Sequence, residues 1–242
     1  MAGNNISGPL NSGRPAQSQI VIYGAGGLAR EIVQLIRDLA KAGKAVECIG
    51  FLVDASFLKS EVVAELPVLG DFGWLRGNDA VTVVIGIGSP AVRGRIAARI
   101  EEQRFASVIH PRATVGHQVI VGGGSIVCAG AVATTDIRIG AHVQLHVNTA
   151  VGHDCTIEDY VTVAPGANVG GATHLGRGAF IGAGAVVLPH RRVGNWSIVT
   201  AGAVVTADVP DNSTVAGVPA KIVAQRPPDW HLDTTGAPIE RP

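Results

Sequence analysis

From Ile109 onward the chain returns to a branched aliphatic residue every six positions, through Val115, Val121, Val127 and on to Val205. Sixteen of these seventeen positions hold Val, Ile or Leu, and the exception is Ala133. The residue four places later is usually small, as at Ala113, Ser125, Ala131, Cys155, Ala167 and Ala203. The residue one place later is Gly in eight of the seventeen hexads. A period of six fits neither the 3.6 of a helix nor the 2 of a pleated strand. It fits a solenoid of triangular cross-section, with one hexapeptide per side and eighteen residues per coil. The branched residue then points into the prism, the small residue lets the chain bend near a corner, and the glycines relax the turn. Successive coils stack edge to edge at roughly 4.8 Å, the ordinary interstrand distance. The register holds from 109 to 205, which predicts nearly six coils with no long loop between them.

Composition agrees with such a tube. Of the 242 residues 47% are apolar but only 4% aromatic, and 32 are glycine. A core built from these is one of Val, Ile, Leu and Ala. The formal net charge is zero, so there is no basic footprint for nucleic acid and no pull toward anionic lipid. No apolar run approaches the roughly 18 residues that a membrane span needs. Cys48, Cys128 and Cys155 are odd in number and far apart, and no secretory signal precedes residue 20, so a reduced cytoplasmic setting is expected.

The segment before the repeat has another grammar. Residues 1–17 are polar and without period, and are expected to be a flexible leader. From 18 to 107, apolar strands alternate with helices. Gln19–Tyr23 reads as a strand ended by Gly24-Ala25-Gly26-Gly27, and a helix follows with Leu28, Ile32, Leu35, Ile36 and Leu39 on one face. Cys48–Val53 and Val81–Ile87 read as further strands, and Pro90 to Gln103 as a second helix. This order predicts a Rossmann-like α/β domain with a parallel sheet. The prism is expected over 108–224 and a surface tail over 225–242.

The hexads, the Gly24–Gly27 turn and the closing Gly217-Val218-Pro219-Ala220-Lys221 together resemble the sialic acid O-acetyltransferases and the bacterial nucleotide-sugar 4-amino N-acetyltransferases, the NeuD and PglD type, over residues 18–224. The resemblance implies three left-handed β-helices around a threefold axis. It implies acetyl-CoA in the groove between neighbouring prisms and a sugar nucleotide on the N-terminal domain. The reaction it implies is N-acetylation of a nucleotide-linked 4-amino-4,6-dideoxy sugar, with O-acetylation of a sialic acid-like sugar as the alternative.

His153, in Val151-Gly152-His153-Asp154-Cys155, is similar to the catalytic histidine of that family. Acetyl transfer from a thioester needs a base for the proton of the attacking group, and imidazole titrates in the right range. His153 takes the third hexad position, outward at a corner. Eighteen residues on, the same column holds Gly171, whose N–H would lie one strand spacing away and which the resemblance makes the oxyanion donor. Asp154 corresponds to the family's acidic residue that tunes the histidine. For acetyl-CoA, the resemblance points to Thr162 (where a second family histidine is absent), Gly182, Ala183, Ala201, Gly217, Pro219 and Lys221. Gly24, Gly26 and Ala29 satisfy G-x-G-x-x-G/A, a turn able to hold phosphate. The resemblance assigns Gly24, Gly26, Gly27, Asp54 and Gly88 to the sugar nucleotide. Cys155 fills a small-residue slot and is expected to pack.

Two other readings use the same prism. γ-Type carbonic anhydrases hold zinc with three histidines, and His117 and His153, like His110 and His146, are two coils apart. The further ligand would fall at Glu158 or Val151, so no metal is expected. A non-catalytic trimer that binds nucleotide sugars is the other.

Overall fold

The computed structural model describes residues 18–232. The expected leader over 1–17 and residues 233–242 of the expected tail lie outside the described residues.

The chain opens with β1 (Ser18–Tyr23), α1 (Gly27–Lys41), β2 (Val46–Leu52), β3 (Val62–Val63), β4 (Leu66–Gly70), α2 (Phe72–Arg76), β5 (Thr82–Ile85) and α3 (Pro90–Ala97). The sheet order is β3-β4-β2-β1-β5, parallel except for the β3–β4 hairpin. β1 is an interior strand, between β2 and β5, and its Ile20–Tyr23 run is buried on both faces. A strand covered from two sides needs such an unbroken apolar run rather than alternation. α1 has Gly26 as its N-cap, buries Ala29, Ile32, Val33, Leu35 and Ile36, and is followed by Gly43 at φ +85°.

Several elements differ from the sequence reading, the unforeseen α2 among them. The β3–β4 hairpin was not foreseen: its turn residues Ala64 and Glu65 take φ of 48° and 68° without the Gly or Asn that normally marks such a turn. The second helix ends at Ala97, not Gln103, and only a short 3₁₀ turn, Glu102–Arg104, follows. The chain must leave the helix early so that Phe105 can bridge to Val83 and Ala106 N–H can reach Val83 O at 3.0 Å.

Seventeen two-residue strands follow, from Val108–Ile109 to Val204–Val205, and form three flat parallel sheets. The first face begins with Val108–Ile109, the second with Thr114–Val115 and the third with Ile120–Val121. Partners are eighteen residues apart throughout, for example Ala150 with Asn168, Thr156 with His174 and Thr162 with Phe180. The hexad aliphatics from Val127 to Val205 are buried in one continuous core. Val115 is 36% exposed because no coil lies beneath the first one. The opposite end is covered by an antiparallel pair, Ser213–Gly217 and Ala220–Gln225, with Val215 in the core. The described part of the expected tail is held to the surface: His231 stacks on Trp196 at 3.9 Å, and its carbonyl accepts from Arg95 at 3.0 Å.

Glycine serves two distinct corner positions. Three places after most inward aliphatics the chain passes through the left-handed region, as at Gly130, Gly166 and Gly184, and also at Asp154 (φ 59°) and Tyr160 (φ 61°). The glycines one place after the aliphatic, read from sequence as turn relaxers, have another cause. A Cβ on Gly140 would lie 2.7 Å from Asp159 N and 2.9 Å from Glu158 C, so the next coil leaves it no room. The two kinds should separate on mutation. Gly184→Ala has open space and pays only for a left-handed alanine, about 1–2 kcal/mol. Gly140→Ala must push two coils apart and is expected to cost more, with overpacking contributing about 1–3 kcal/mol or above. Equal losses in denaturant unfolding would refute the distinction.

The α/β domain sits against the first face. Val108, Ile126 and Cys128 share a core with Ile32, Ile36 and Phe51, and His110 Nε2 lies 3.3 Å from Asp38 Oδ2.

Candidate active site

The corner between the second and third faces carries His117, Thr135, His153, Gly171 and Pro189 in one column. Backbone bonds climb it: Asp154 N–H donates to Thr135 O at 3.2 Å, Ala172 N–H to His153 O at 2.7 Å, and His190 N–H to Gly171 O at 3.0 Å. The His153 side chain is 63% exposed, and its Nδ1 lies 2.7 Å from Asp154 Oδ2. A carboxylate only accepts, so in the neutral imidazole Nδ1 carries the proton and Nε2 presents its lone pair. The ring lies over Gly171: a Cβ built there would sit 2.7 Å from His153 Nε2. Among the described residues, Gly171 N–H has no hydrogen-bond acceptor. A Cβ on Gly152 would lie 2.6 Å from that nitrogen. Two absent side chains therefore keep a basic nitrogen and a free amide side by side.

A shallow groove of about 280 Å³ runs along the second face beside this corner, past Ala150, Gly152, Asn168, Gly170, Val186 and Leu188. Its other edge is the corner between the first and second faces. Ala183 and Ala201 are exposed there in one column, with Gly202 N–H donating to Ala183 O at 2.9 Å. Gly182 is buried in the packed corner beneath them, where a Cβ would lie 2.6 Å from Thr200 C. Gly217, Pro219 and Lys221 belong to the closing hairpin at the far end of the tube. Thr162 departs from expectation. It is buried at 1% exposure on the first face, where its hydroxyl donates to Gly88 O at 3.2 Å and accepts from Arg93 at 2.9 Å. It serves the seam between the two parts of the chain and cannot touch a cofactor in the groove.

The nucleotide candidates gather elsewhere. Asp54, Gly24–Gly27 and Gly88 follow the C-terminal ends of β2, β1 and β5, three adjacent strands. Strand order reverses between β1 and β5, the switch point at which open α/β sheets bind ligands. Gly24 (φ +98°) would meet Ile87 Cγ1 at 2.9 Å through a Cβ, so the two loops touch. Gly26 and Gly27 face open space at the start of α1, whose first N–H groups lack intrahelical partners. Tyr23, at the foot of this crevice, has its phenol held far above its ordinary range by burial and then by the Asp54 carboxylate.

Sequence reasoning missed the residues at the seam. Arg93, fully buried, donates only to carbonyls and one hydroxyl: His142 O (2.8 Å), Ile87 O (3.0 Å), Gly88 O (3.1 Å), Tyr160 O (2.6 Å), Val161 O (3.3 Å) and Thr162 Oγ1. Burial lowers its pKa to about 9, which leaves it charged at neutral pH. A lone arginine in a short helix ordinarily reads as surface, so nothing in the sequence marked it. Gln144 Nε2 donates to Ile87 O at 3.1 Å. Cys155 is buried, with its thiol donating to Gly170 O at 3.2 Å, so it packs at the corner.

The comparisons bear on both parts of the chain. Residues 19–100 match the PglD N-terminal domain, and residues 136–171 match the bacterial transferase hexapeptide (six repeats). GDP-perosamine N-acetyltransferase of Escherichia coli O157:H7 is 30% identical over 214 residues, 85% of this chain and 96% of that protein. The chain belongs to the PglD-type nucleotide-sugar N-acetyltransferases. Perosamine N-acetyltransferase from Caulobacter crescentus, solved as a histidine variant with CoA and GDP-perosamine, superposes with a TM-score of 0.77 at 29% identity, covering 86% of this chain and 98% of that one. The acetyltransferase domain of PglB from Neisseria gonorrhoeae also gives 0.77, at 31% identity and with 86% and 100% covered. In this PglD-type family the tube is a left-handed parallel β-helix, and the family consists of acetyl-CoA-dependent acyltransferases. Among the described residues no group of three or more His, Cys, Asp or Glu could hold a metal ion, and Glu158 is paired with His174 at 2.6 Å.

The seam also sets a pH dependence. His142 stacks on Tyr160 and meets Phe105 edge-on, and burial, then the Arg93 charge, lowers its pKa to about 4. His146 is lowered to about 4 by the same two causes. The unfolded chain protonates these histidines near 6.5 while the fold refuses the protons, so stability falls as pH drops from about 6.5 toward 4. Thermal melts across that range should show the fall, and His142→Asn should flatten it. An unchanged slope in that variant would count against the assignment.

Proposed function

We propose that this protein is an acetyl-CoA-dependent N-acetyltransferase acting on a nucleotide-linked 4-amino-4,6-dideoxy sugar, with His153 as general base and direct transfer. The observation that carries the reading is His153 Nε2 lying over Gly171, with Nδ1 bound to Asp154. Nε2 takes the proton of the sugar amine as nitrogen attacks the acetyl thioester carbonyl. Gly171 N–H donates to the oxyanion of the tetrahedral intermediate. Asp154 favours the imidazolium while it exists. Collapse breaks the carbon–sulfur bond, and the proton on Nε2 can return to the departing thiolate. The amide and free CoA are the products, and no acyl-enzyme forms.

Acetyl-CoA is assigned to the groove along the second face, between the Ala183–Ala201 column and the His153–Gly171 column, with Gly217, Pro219 and Lys221 toward its far end. Gly24, Gly26, Gly27, Asp54 and Gly88 are assigned to the sugar nucleotide. GDP-linked amino sugars are the first to test, because both named perosamine enzymes act on or bind GDP-perosamine.

The working unit in this reading is a homotrimer. Each coil runs first, second, third face, so the corner with His153 is opposite the first face, against which the α/β domain packs. The crevice and the histidine of one chain lie on different sides of its tube, and a neighbouring copy brings them together. Three free cysteines suit a reducing cytoplasm, and no described helix is long and apolar enough to cross a membrane.

With a GDP-linked amino sugar, His153→Ala should lower turnover by about 10²-fold or more while acetyl-CoA still binds. Gly152→Ala, which crowds the Gly171 amide, should lower kcat by about 10²–10³-fold. Near-normal turnover in His153→Ala would remove the base, and sedimentation at the mass of one chain would remove the shared site.

A further inference from the structure

Arg93 holds a position that the reaction scheme leaves unused. It is a fully buried guanidinium with no carboxylate partner, reaching from α3 across the seam between the α/β domain and the prism. On the prism side it grips His142 O, Tyr160 O and Val161 O, the turns of two successive coils. On the other side a single nitrogen, Nη1, binds both Ile87 O and Gly88 O. The prism adds two more donors to the same pair of carbonyls. Gln144 Nε2 reaches Ile87 O at 3.1 Å, and Thr162 Oγ1 reaches Gly88 O at 3.2 Å.

These contacts fix the orientation of two peptide planes. In a trans peptide the carbonyl and the following N–H point in opposite directions. With the carbonyls of Ile87 and Gly88 drawn into the seam, the N–H groups of Gly88 and Ser89 turn away from the prism. Among the described residues neither has an acceptor within the chain. The loop that carries them follows β5 and touches Gly24, beside the open first turn of α1. Free amides on the β5 side and on the β1 side therefore flank the point where strand order reverses.

We propose that Arg93, with Thr162 and Gln144, is a positioning residue that locks the Ile87–Gly88 loop onto the prism so that the Gly88 and Ser89 amides meet the diphosphate of the sugar nucleotide. The proposal rests on the nucleotide-sugar reading above and adds what sets that site. A fork that binds several carbonyls at once is what guanidinium offers and ammonium does not. Lysine at 93 keeps the charge and loses the geometry.

The test uses the purified full chain. GDP, UDP and dTDP are titrated into wild type by calorimetry, and the one that binds is titrated into Arg93→Lys, with CoA titrated in parallel. Expected is at least a tenfold loss of nucleotide affinity with CoA affinity within twofold. In steady state, KM for the nucleotide sugar should rise by a similar factor, with KM for acetyl-CoA and kcat near wild type. A merely structural arginine would lower the melting temperature and leave both affinities of the folded protein unchanged, and that result overturns the proposal. Should Arg93→Lys not fold, the double variant Thr162→Val with Gln144→Met, which removes both prism donors and keeps Arg93, takes its place. It should lose nucleotide affinity about threefold or more, and an unchanged value overturns the proposal. A wild type that binds none of the three nucleotides overturns the nucleotide reading and this inference together, whereas variants that bind as tightly as wild type overturn this inference alone.

Discussion

Every feature of the site depends on the eighteen-residue ladder of backbone hydrogen bonds that stacks one coil on the next. Each interior two-residue strand pairs with the strand a full coil below and another a full coil above, and the pairing never slips between the first hexad and the last. A shift of one residue would turn every inward aliphatic toward solvent, so the core enforces the register as strongly as the hydrogen bonds do. Because the register is fixed, residues far apart in sequence stand one above another. Imidazole and amide meet at one corner for that reason, with no loop to hold them.

The seam between the two parts of the chain rests on a different balance. A buried charge without a counter-ion is costly, and it persists only where dipoles satisfy it fully. Here five carbonyls and a hydroxyl surround one guanidinium. The hexad turns supply three of those carbonyls: the left-handed corners at His142 and Tyr160 leave their C=O groups free of the ladder, and Val161 O accepts from Gln144 N–H at 2.9 Å as well as from the arginine. Burial, and then the arginine's charge, lowers the pKa of His142 and His146, which keeps both neutral beside it.

Legibility in the sequence followed physical periodicity. The tube, its coil length and the column pairing His153 with Gly171 could be read because a six-residue repeat leaves its mark on seventeen successive hexads. The strand–helix alternation before it was readable for the same reason, through apolar runs and one amphipathic helix. What escaped lacked a local mark. The turn at Ala64-Glu65 adopts a glycine-like conformation with ordinary residues, so no turn signal preceded β4. Arg93 and Gln144 are polar side chains buried by a neighbouring part of the fold, and no window of sequence reports that. Thr162 was misplaced because the family pattern supplied a role at a position whose surroundings in this chain are the seam rather than the groove.

The glycines of the His153–Gly171 corner show how much of its geometry is set by missing atoms. Gly152 leaves space above the Gly171 nitrogen, Gly171 leaves space beneath the imidazole, and Gly170 gives way to Pro189 of the next coil. None of the three takes a positive φ, so conformational freedom is not what they contribute. They let adjacent coils and one aromatic ring approach more closely than any Cβ allows. An amide held this way belongs to a rigid ladder and needs little reorganisation as negative charge develops, the condition under which a single donor stabilises a transition state most. Changing the acceptor would not require altering that corner, since the crevice at β1 and β5 is built from loops outside the ladder. On the proposed reading, the tube fixes the chemistry and the loops are left to choose the substrate.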